Sequence, residues 1–201
     1  MAKARALLLL SGGIDSPVAG FLAGQKAEII SLHFSNKDFA GEESIEKSRA
    51  IAKKLKFKKF IVLDLAVQLK EIAEKCDQAY YFVLQRRLFF RVAELVAEKE
   101  KCDFICTGDS LGQVSSQTLS NMAVISRSSK KPIARPLLGF DKLETTRIAE
   151  KIGTLETSKG PEMCDVLGPK HPSTHARLER VLEEEKKIDL DAMAEKAFAE
   201  G

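Results

Sequence analysis

The stretch Ala6-Leu7-Leu8-Leu9-Leu10-Ser11-Gly12-Gly13-Ile14-Asp15-Ser16-Pro17 decides the fold. Its apolar run is too short for a membrane span and ends in turn residues, so it reads as a strand buried on both faces. Ser11-Gly12-Gly13 must then turn the chain at the strand's carboxyl end, which is where open α/β sheets bind ligands. Gly12 and Gly13 carry no Cβ, so their backbone can approach an anion closely. Ser16 is predicted as the N-cap of the next helix and Pro17 as its first residue, which aims free N–H groups at the same point. The turn reads as an anion cradle. It has neither the lysine of a G-x-x-x-x-G-K-[ST] phosphate loop nor the G-x-G-x-x-G spacing of a dinucleotide fold.

Working outward, residues 18–25 have helical spacing and Ala27 to Phe34 form a second strand, which makes one parallel crossover unit. His33 and Phe34 end that strand beside the first loop, placing Phe34 to cover a base and His33 to line its pocket; a lone histidine there also reads as a hydrogen-bonded structural residue. Asn36 to Gly41 is a polar loop, Glu42 to Leu55 a helix and Phe60 to Leu63 a third strand. A long helical stretch follows, broken near Asp77, with Leu84, Leu88, Val92 and Leu95 as its core stripe. Arg86, Arg87 and Arg91 fall off the stripe and are expected to face solvent, a ligand or a partner.

Asp103 to Thr107 is a fourth strand that opens into Gly108-Asp109-Ser110-Leu111-Gly112-Gln113-Val114-Ser115-Ser116-Gln117-Thr118. Its position at a strand's carboxyl end makes it a lining for the same pocket, with Gly108 allowing close approach and Gln117 offering donor and acceptor. Residues 133–137 read as a fifth strand, and 141–152 as a helix closed by Gly153 in the left-handed conformation. Glu156 to Pro172 has no hydrophobic period and holds Cys164 in its middle. A helix capped by Ser173 is expected to run to Lys187, with another over 190–199.

Composition narrows the class. The 201 residues carry a formal charge of +3 with abundant charge of both signs, enough apolar residues for one core, and no segment near the roughly 18 apolar residues of a membrane span. The expectation is a cytoplasmic protein without membrane contact. Basic clusters at Lys53, Lys54, Lys56, Lys58 and Lys59, at Arg86, Arg87 and Arg91, and at Lys130, Lys131 and Arg135 are solvated faces or polyanion contacts. Cys76, Cys102, Cys106 and Cys164 lack C-x-x-C spacing and read as reduced thiols, with Cys102 and Cys106 about 13 Å apart along one strand.

Ser-Gly-Gly-x-Asp-Ser resembles the loop of the ATP pyrophosphatase (PP-loop) superfamily. SGGIDSP, LHF, QRRLFFRVAE, TGDSLGQVSSQTLSNM, RPLLGFDK, KIGT and PEMCDVLGPKHP, in that order over roughly Leu7 to Pro172, are similar to the PP-loop domain of the tRNA 4-thiouridine synthase family, ThiI. The resemblance implies a three-layer α/β/α fold with a mostly parallel five-stranded sheet, of the adenine nucleotide alpha hydrolase-like kind. Residues 1–172 form that domain in this reading and 173–201 a helical extension. By motif, Leu9, Leu10, His33, Phe34, Arg86, Gly108 and Gln117 correspond to the family's ATP contacts, joining Ser11, Gly12, Gly13, Asp15 and Ser16 of the loop. Cys164 corresponds to the persulfide cysteine. Asp15 either orients magnesium or caps the helix.

The implied activity is ATP-dependent thiolation of a tRNA uridine, with magnesium, release of AMP and pyrophosphate, and sulfur from a cysteine desulfurase or other donor. The family's ferredoxin-like and THUMP segments and its rhodanese domain have no counterpart in this sequence, so tRNA is expected to be presented by a separate THUMP-type protein or held by the basic clusters. Two further readings stay open: a PP-loop enzyme that adenylates another substrate with Cys164 dispensable, and a nucleotide-binding subunit acting with a separate THUMP or sulfur-carrier protein. An iron-sulfur cluster has no cysteine spacing to support it.

Overall fold

The structure is a computed structural model that describes residues 3–36, 42–159 and 167–201. Alternate residues of β1 (Ala4–Leu9) enter two separate cores: Leu7 and Leu9 one, Ala6 and Leu8 the other. Such two-sided burial is what an all-apolar parallel strand requires. β2 (Ala27–Ser35) pairs with β1 from Ala4↔Ala27 to Leu9↔Leu32, and β3 (Lys59–Asp64) lies outside it. On the other side stand β4 (Phe104–Cys106) and the two-residue β5 (Ile133–Ala134). The order β3-β2-β1-β4-β5 is parallel throughout. Because the chain leaves β1 toward β2 and later returns beside β1 as β4, a topological switch point opens between the carboxyl ends of β1 and β4.

One face of the sheet is covered by α1 (Asp15–Gly24), α2 (Glu43–Lys54), α6 (Lys142–Lys151) and the short α7 (Leu155–Ser158). The other carries α3 (Ala66–Lys75), α4 (Tyr81–Lys99), α5 (Leu119–Ser126), α8 (Leu178–Glu185) and α9 (Leu190–Ala199). The three layers agree with the sequence expectation. Leu84, Leu88 and Val92 of α4 are wholly buried, each side chain contributing roughly 1.5–3 kcal/mol. The helix break falls at Cys76 and Asp77, where the Asp77 side chain accepts from Ala79 N–H and starts a new turn. Gly153 takes φ +71° at the end of α6, as predicted. Among the described residues no helix is long and apolar enough to cross a membrane.

Several expectations need correction. Ser173 does not cap a helix; α8 starts at Leu178. Wholly buried Asn121 is the reason: its amide donates to the Ser115 and Ser173 carbonyls and accepts from Ala176 N–H at 2.7 Å, pinning residues 173–176 onto α5. β5 stops at Ala134 because Leu138 N–H turns back to the Arg135 carbonyl at 3.2 Å. Cys102 lies ahead of β4, its N–H bonded to the Ala97 carbonyl at the end of α4, so the two cysteines do not share a strand. The three arginines of α4 are not free. Arg87 is buried, bonded to Glu185 and the Val124 carbonyl, while Arg91 bridges Glu185 at 3.0 Å and Asp191 at 2.7 Å. These pairs fasten α8 and α9 to α4, and Val181, Leu190, Met193 and Ala197 complete the larger core.

Candidate nucleotide site

The loop after β1 closes on itself. Leu10 N–H donates to the Leu32 carbonyl at 2.8 Å, so strand pairing continues one residue beyond β1. Ser11 N–H then donates to Ser16 Oγ at 2.9 Å, Ser16 Oγ lies 3.2 Å from the Ser11 carbonyl that accepts from it, and Gly13 N–H reaches Ser11 Oγ at 3.3 Å. Ser16 is therefore not the N-cap. Ile14 holds that position without a side-chain bond, Ser16 is the second helical residue and Pro17 the third, because the serine hydroxyl is used to tie Ser11 down. The N–H groups of the first turn have no intrahelical acceptor and Pro17 has none to satisfy, so the anion-binding character of the turn survives the change of cap.

One glycine is fixed by packing, and another lies against a flexible side chain. A Cβ on Gly108 would stand 2.6 Å from Ser16 N and 2.8 Å from the Asp15 carbonyl carbon, so the loop after β4 lies backbone to backbone on the first turn of α1. The close approach predicted at Gly108 is made to α1 itself. A Cβ on Gly12 would meet the Lys47 side chain at 2.8 Å. The carboxyl ends of β1 and β4 thus share one polar floor made of Ser11, Gly12, Gly13, Asp15, Ser16 and Gly108.

His33 adjoins it from β2. It is buried at 4% exposure, with Nδ1 2.9 Å from the Leu10 carbonyl and 3.1 Å from Ser48 Oγ of α2. A carbonyl only accepts, so Nδ1 carries the proton and Nε2 is left as an acceptor. Among the described residues, that Nε2 is buried without a partner, and so is Gln117 Oε1 in the short helical turn after β4. Each unmet buried acceptor costs about 1–3 kcal/mol, which a ligand bearing N–H or O–H donors recovers. Burial pushes the His33 pKa below its ordinary value, partly offset by the Leu10 carbonyl, and keeps the ring neutral. Leu9 and Leu10 are buried beside it, whereas the Phe34 ring points to the opposite face and stacks on Phe89 at 4.4 Å.

Beyond β4, Asp109 is 4% exposed and is paired with two arginines: Arg86, and Arg135 at 3.1 Å. Thr107 Oγ1 accepts from Arg86 at 3.3 Å and from Asp109 N–H at 3.1 Å, and both guanidiniums lie over Phe90. Burial alone would raise the Asp109 carboxyl; Arg86 and Arg135 outweigh it and hold the pKa below the usual range. Sequence reasoning named Arg86 but missed Asp109 and Ser48, and Lys47 escaped because nothing in the loop's own sequence points to α2. The signal for Asp109 was its place inside TGDS, directly after a buried strand. Cys164 lies outside the described residues. Cys76, Cys102 and Cys106 are buried free thiols, pushed up by burial to about 11, about 11 and about 12. Among the described residues no three His, Cys, Asp or Glu side chains gather as a metal site.

A parallel sheet with a glycine loop and helix start at the β1/β4 switch point, closed by serine rather than armed with a loop lysine, defines a PP-loop domain of the adenine nucleotide alpha hydrolase-like class. The family model described as Thiamine biosynthesis protein (ThiI) matches residues 1–190, and the chain belongs to that family. It is 41% identical over 202 residues to the "Probable tRNA sulfurtransferase" of Alkaliphilus oremlandii, covering 96% of this chain and 51% of the relative. With the protein of the same description from Thermus thermophilus it shares 42% over 204 residues, 98% of this chain and 50% of the relative. The crystal structure of a 4-thiouridine synthetase–RNA complex with bound ATP superposes with a TM-score of 0.92 at 36% identity, covering 98% of this chain and 53% of that one. NMN synthetase from Francisella tularensis shares the fold alone, with a TM-score of 0.56 at 13% identity over 97% of this chain and 85% of that one. The chain spans about half the length of the curated relatives it matches.

Proposed function

We propose that this chain is the ATP-handling and sulfur-transferring part of a tRNA uridine 4-sulfurtransferase. The observation that carries the nucleotide half is the unmet buried acceptor His33 Nε2 beside a closed glycine loop, with a second, Gln117 Oε1, in the segment that follows β4. An adenosine offers an exocyclic amine and ribose hydroxyls as the missing donors, while the loop N–H groups receive phosphate. Leu9, Leu10, Arg86 and Gly108 complete the ATP set that the family resemblance implies, and Phe34, whose ring is stacked on Phe89, could join it only through its backbone. Magnesium would enter on the nucleotide: such an ion needs only one or two protein carboxylates, and Asp15 at the start of α1 is the one on this loop. Its contribution would be to neutralise the departing pyrophosphate.

In this reading the uridine 4-oxygen bonds to the α-phosphorus and pyrophosphate leaves with the electron pair of the broken bond. The terminal sulfur of a Cys164 persulfide then bonds to carbon 4, and AMP leaves with the former carbonyl oxygen. The remaining S–S bond is cleaved by two electrons from a thiol co-reactant, or the step uses sulfide directly. Cys76, Cys102 and Cys106 are unsuited to that role, since burial holds each as the protonated thiol. tRNA delivered by a THUMP-type module and sulfur from a cysteine desulfurase or other donor fit this division.

The test is AMP and pyrophosphate release from ATP with magnesium, unmodified tRNA and sulfide or a persulfide source, comparing wild type with Cys164→Ala and scoring thiouridine. The expected result is tRNA-dependent AMP, and thiouridine in the wild type alone. ATP binding without tRNA-dependent AMP, even with a THUMP-type protein added, would overturn the substrate and leave the nucleotide site standing. Full thiolation by Cys164→Ala would remove the persulfide step.

A further inference from the structure

The loop after β1 has no lysine of its own, yet the fold brings one to it from α2. Lys47 precedes Ser48, which sits against His33, and its stem crosses Gly12: a Cβ there would stand 2.8 Å from Lys47 Cδ and 3.5 Å from Cγ. The lysine stem therefore lies in the space beside the Gly12 backbone, over the loop. Two other cations of α2 are engaged elsewhere, and Lys53 at its end is exposed to solvent. Arg49 pairs with Glu46 at 3.5 Å and lies over Phe60, and Lys54 donates to the Gly153 carbonyl. Lys47 is half-buried and, among the described residues, has neither an ion pair nor a side-chain hydrogen bond. At the carboxyl end of β4, by contrast, Arg86 and Arg135 share Asp109.

A lysine without a counter-charge among the described residues, its stem lying against the glycine of an anion cradle, is within reach of an anion there. The cradle needs it, because the helix end supplies only about half a unit of positive charge and a triphosphate carries several negative ones. Lysine suits the task as a mobile point charge on a flexible stem, able to follow a phosphate that moves away.

We propose that Lys47 binds the β- and γ-phosphates of ATP at the Ser11–Ser16 loop and stays with pyrophosphate as it departs. This rests on the nucleotide reading given above. When the attacking oxygen bonds to the α-phosphorus, the bond to the bridging oxygen breaks and its electron pair stays with pyrophosphate. The negative charge therefore grows where Lys47 donates hydrogen bonds, and the lysine keeps its proton throughout.

The test is calorimetric binding of ATP, AMP and inorganic pyrophosphate, at fixed salt and magnesium, to wild type, Lys47→Met and Lys47→Arg. Methionine keeps an apolar stem over Gly12, and a thermal melt of each variant reports folding. Lys47→Met is expected to weaken ATP and pyrophosphate about tenfold or more, the loss of one charge-assisted hydrogen bond, while AMP changes less than about twofold. Lys47→Arg is expected to recover most of the ATP affinity. A methionine variant that weakens all three ligands alike, or none of them, overturns the assignment. Wild type that binds neither ATP nor AMP sinks the nucleotide reading itself and the Lys47 assignment with it, an outcome visible before any variant is compared.

Discussion

Two polar clusters flank the carboxyl ends of β1 and β4, and they are finished to different degrees. On the β4 side the Asp109 carboxylate meets two guanidiniums and a backbone N–H partner holds Thr107, so the charges of this cluster are partnered inside the chain, although Gln117 Oε1 farther along the same segment is not. On the β2 side His33 keeps a buried acceptor with no donor, and Lys47 keeps a charge with no counter-charge among the described residues. Buried polar groups are normally satisfied, so an unfinished cluster beside a finished one marks where a ligand completes the network. That contrast marks Asp109 as framework that holds Arg86 in place, and His33 and Lys47 as groups left for a ligand.

Removing Asp109 should produce the largest stability effect. Asp109→Asn leaves Arg86 and Arg135 facing one another without their counter-charge. Because those side chains are 21% and 14% exposed, the lower end of the range for a broken buried pair applies, about 3 kcal/mol or a Tm fall of roughly 6–12 °C. The pH sign follows from the depressed carboxyl: its contribution is present above the ordinary aspartate pKa and is lost as pH falls through the lower folded value. Urea unfolding at neutral and acid pH should therefore show the variant approaching wild type at low pH. A neutral Asp109→Asn variant would break the idea that this cluster is framework.

His33→Leu should show the reverse pattern. Stability is expected to change by about 1 kcal/mol, the net value of the lost bond to the Leu10 carbonyl, while ATP affinity falls about tenfold. The lowered His33 pKa means that the unfolded chain takes up the proton first, so stability and ATP binding hold above about pH 6.5 and decline as pH drops through the folded value. A pH titration of ATP affinity, flat in the leucine variant and sloping in wild type, checks this. Equal losses of stability and binding in both His33 and Asp109 variants would erase the distinction between the two clusters.

The sequence was most legible where local chemistry alone decides the structure. Five apolar residues followed by Ser-Gly-Gly can only be a strand and its turn in this setting, and Gly153 after a 3.6-period run can only end a helix, so the parallel sheet and its edge were readable. What escaped were long-range choices between equally polar alternatives. Ser16 could cap α1 or bond Ser11, and only the curvature of the loop decides for Ser11. Arg87 reads as a surface residue until Glu185, far along the chain, folds back to meet it. Ser173 lost its capping role to a buried Asn121 that no spacing rule connects to it. At the site, the glycines, His33 and Gln117 were visible from position, but Lys47 and Asp109 needed the packing of α2 and α4.

The smallest effects belong to the cysteines, and they test whether the framework extends to them. Burial raises Cys106, at 0% exposure, to about 12 and Cys76 and Cys102 to about 11. A folded pKa above the unfolded one means that the stability each thiol contributes is intact below the ordinary thiol value and is lost as pH rises toward the folded value. Iodoacetamide at about pH 8 should then leave all three unlabelled in the native protein and label all three after denaturation, as peptide mass mapping would record. Cys106→Ala should cost no more than about 1 kcal/mol, since the alanine forgoes a weak 3.9 Å hydrogen bond from the thiol to the Ala19 carbonyl. Rapid native labelling of Cys76 would move it from framework to chemistry, because a thiol that ionises near neutrality in the folded state is able to cleave the S–S bond that the proposed sulfur transfer leaves behind.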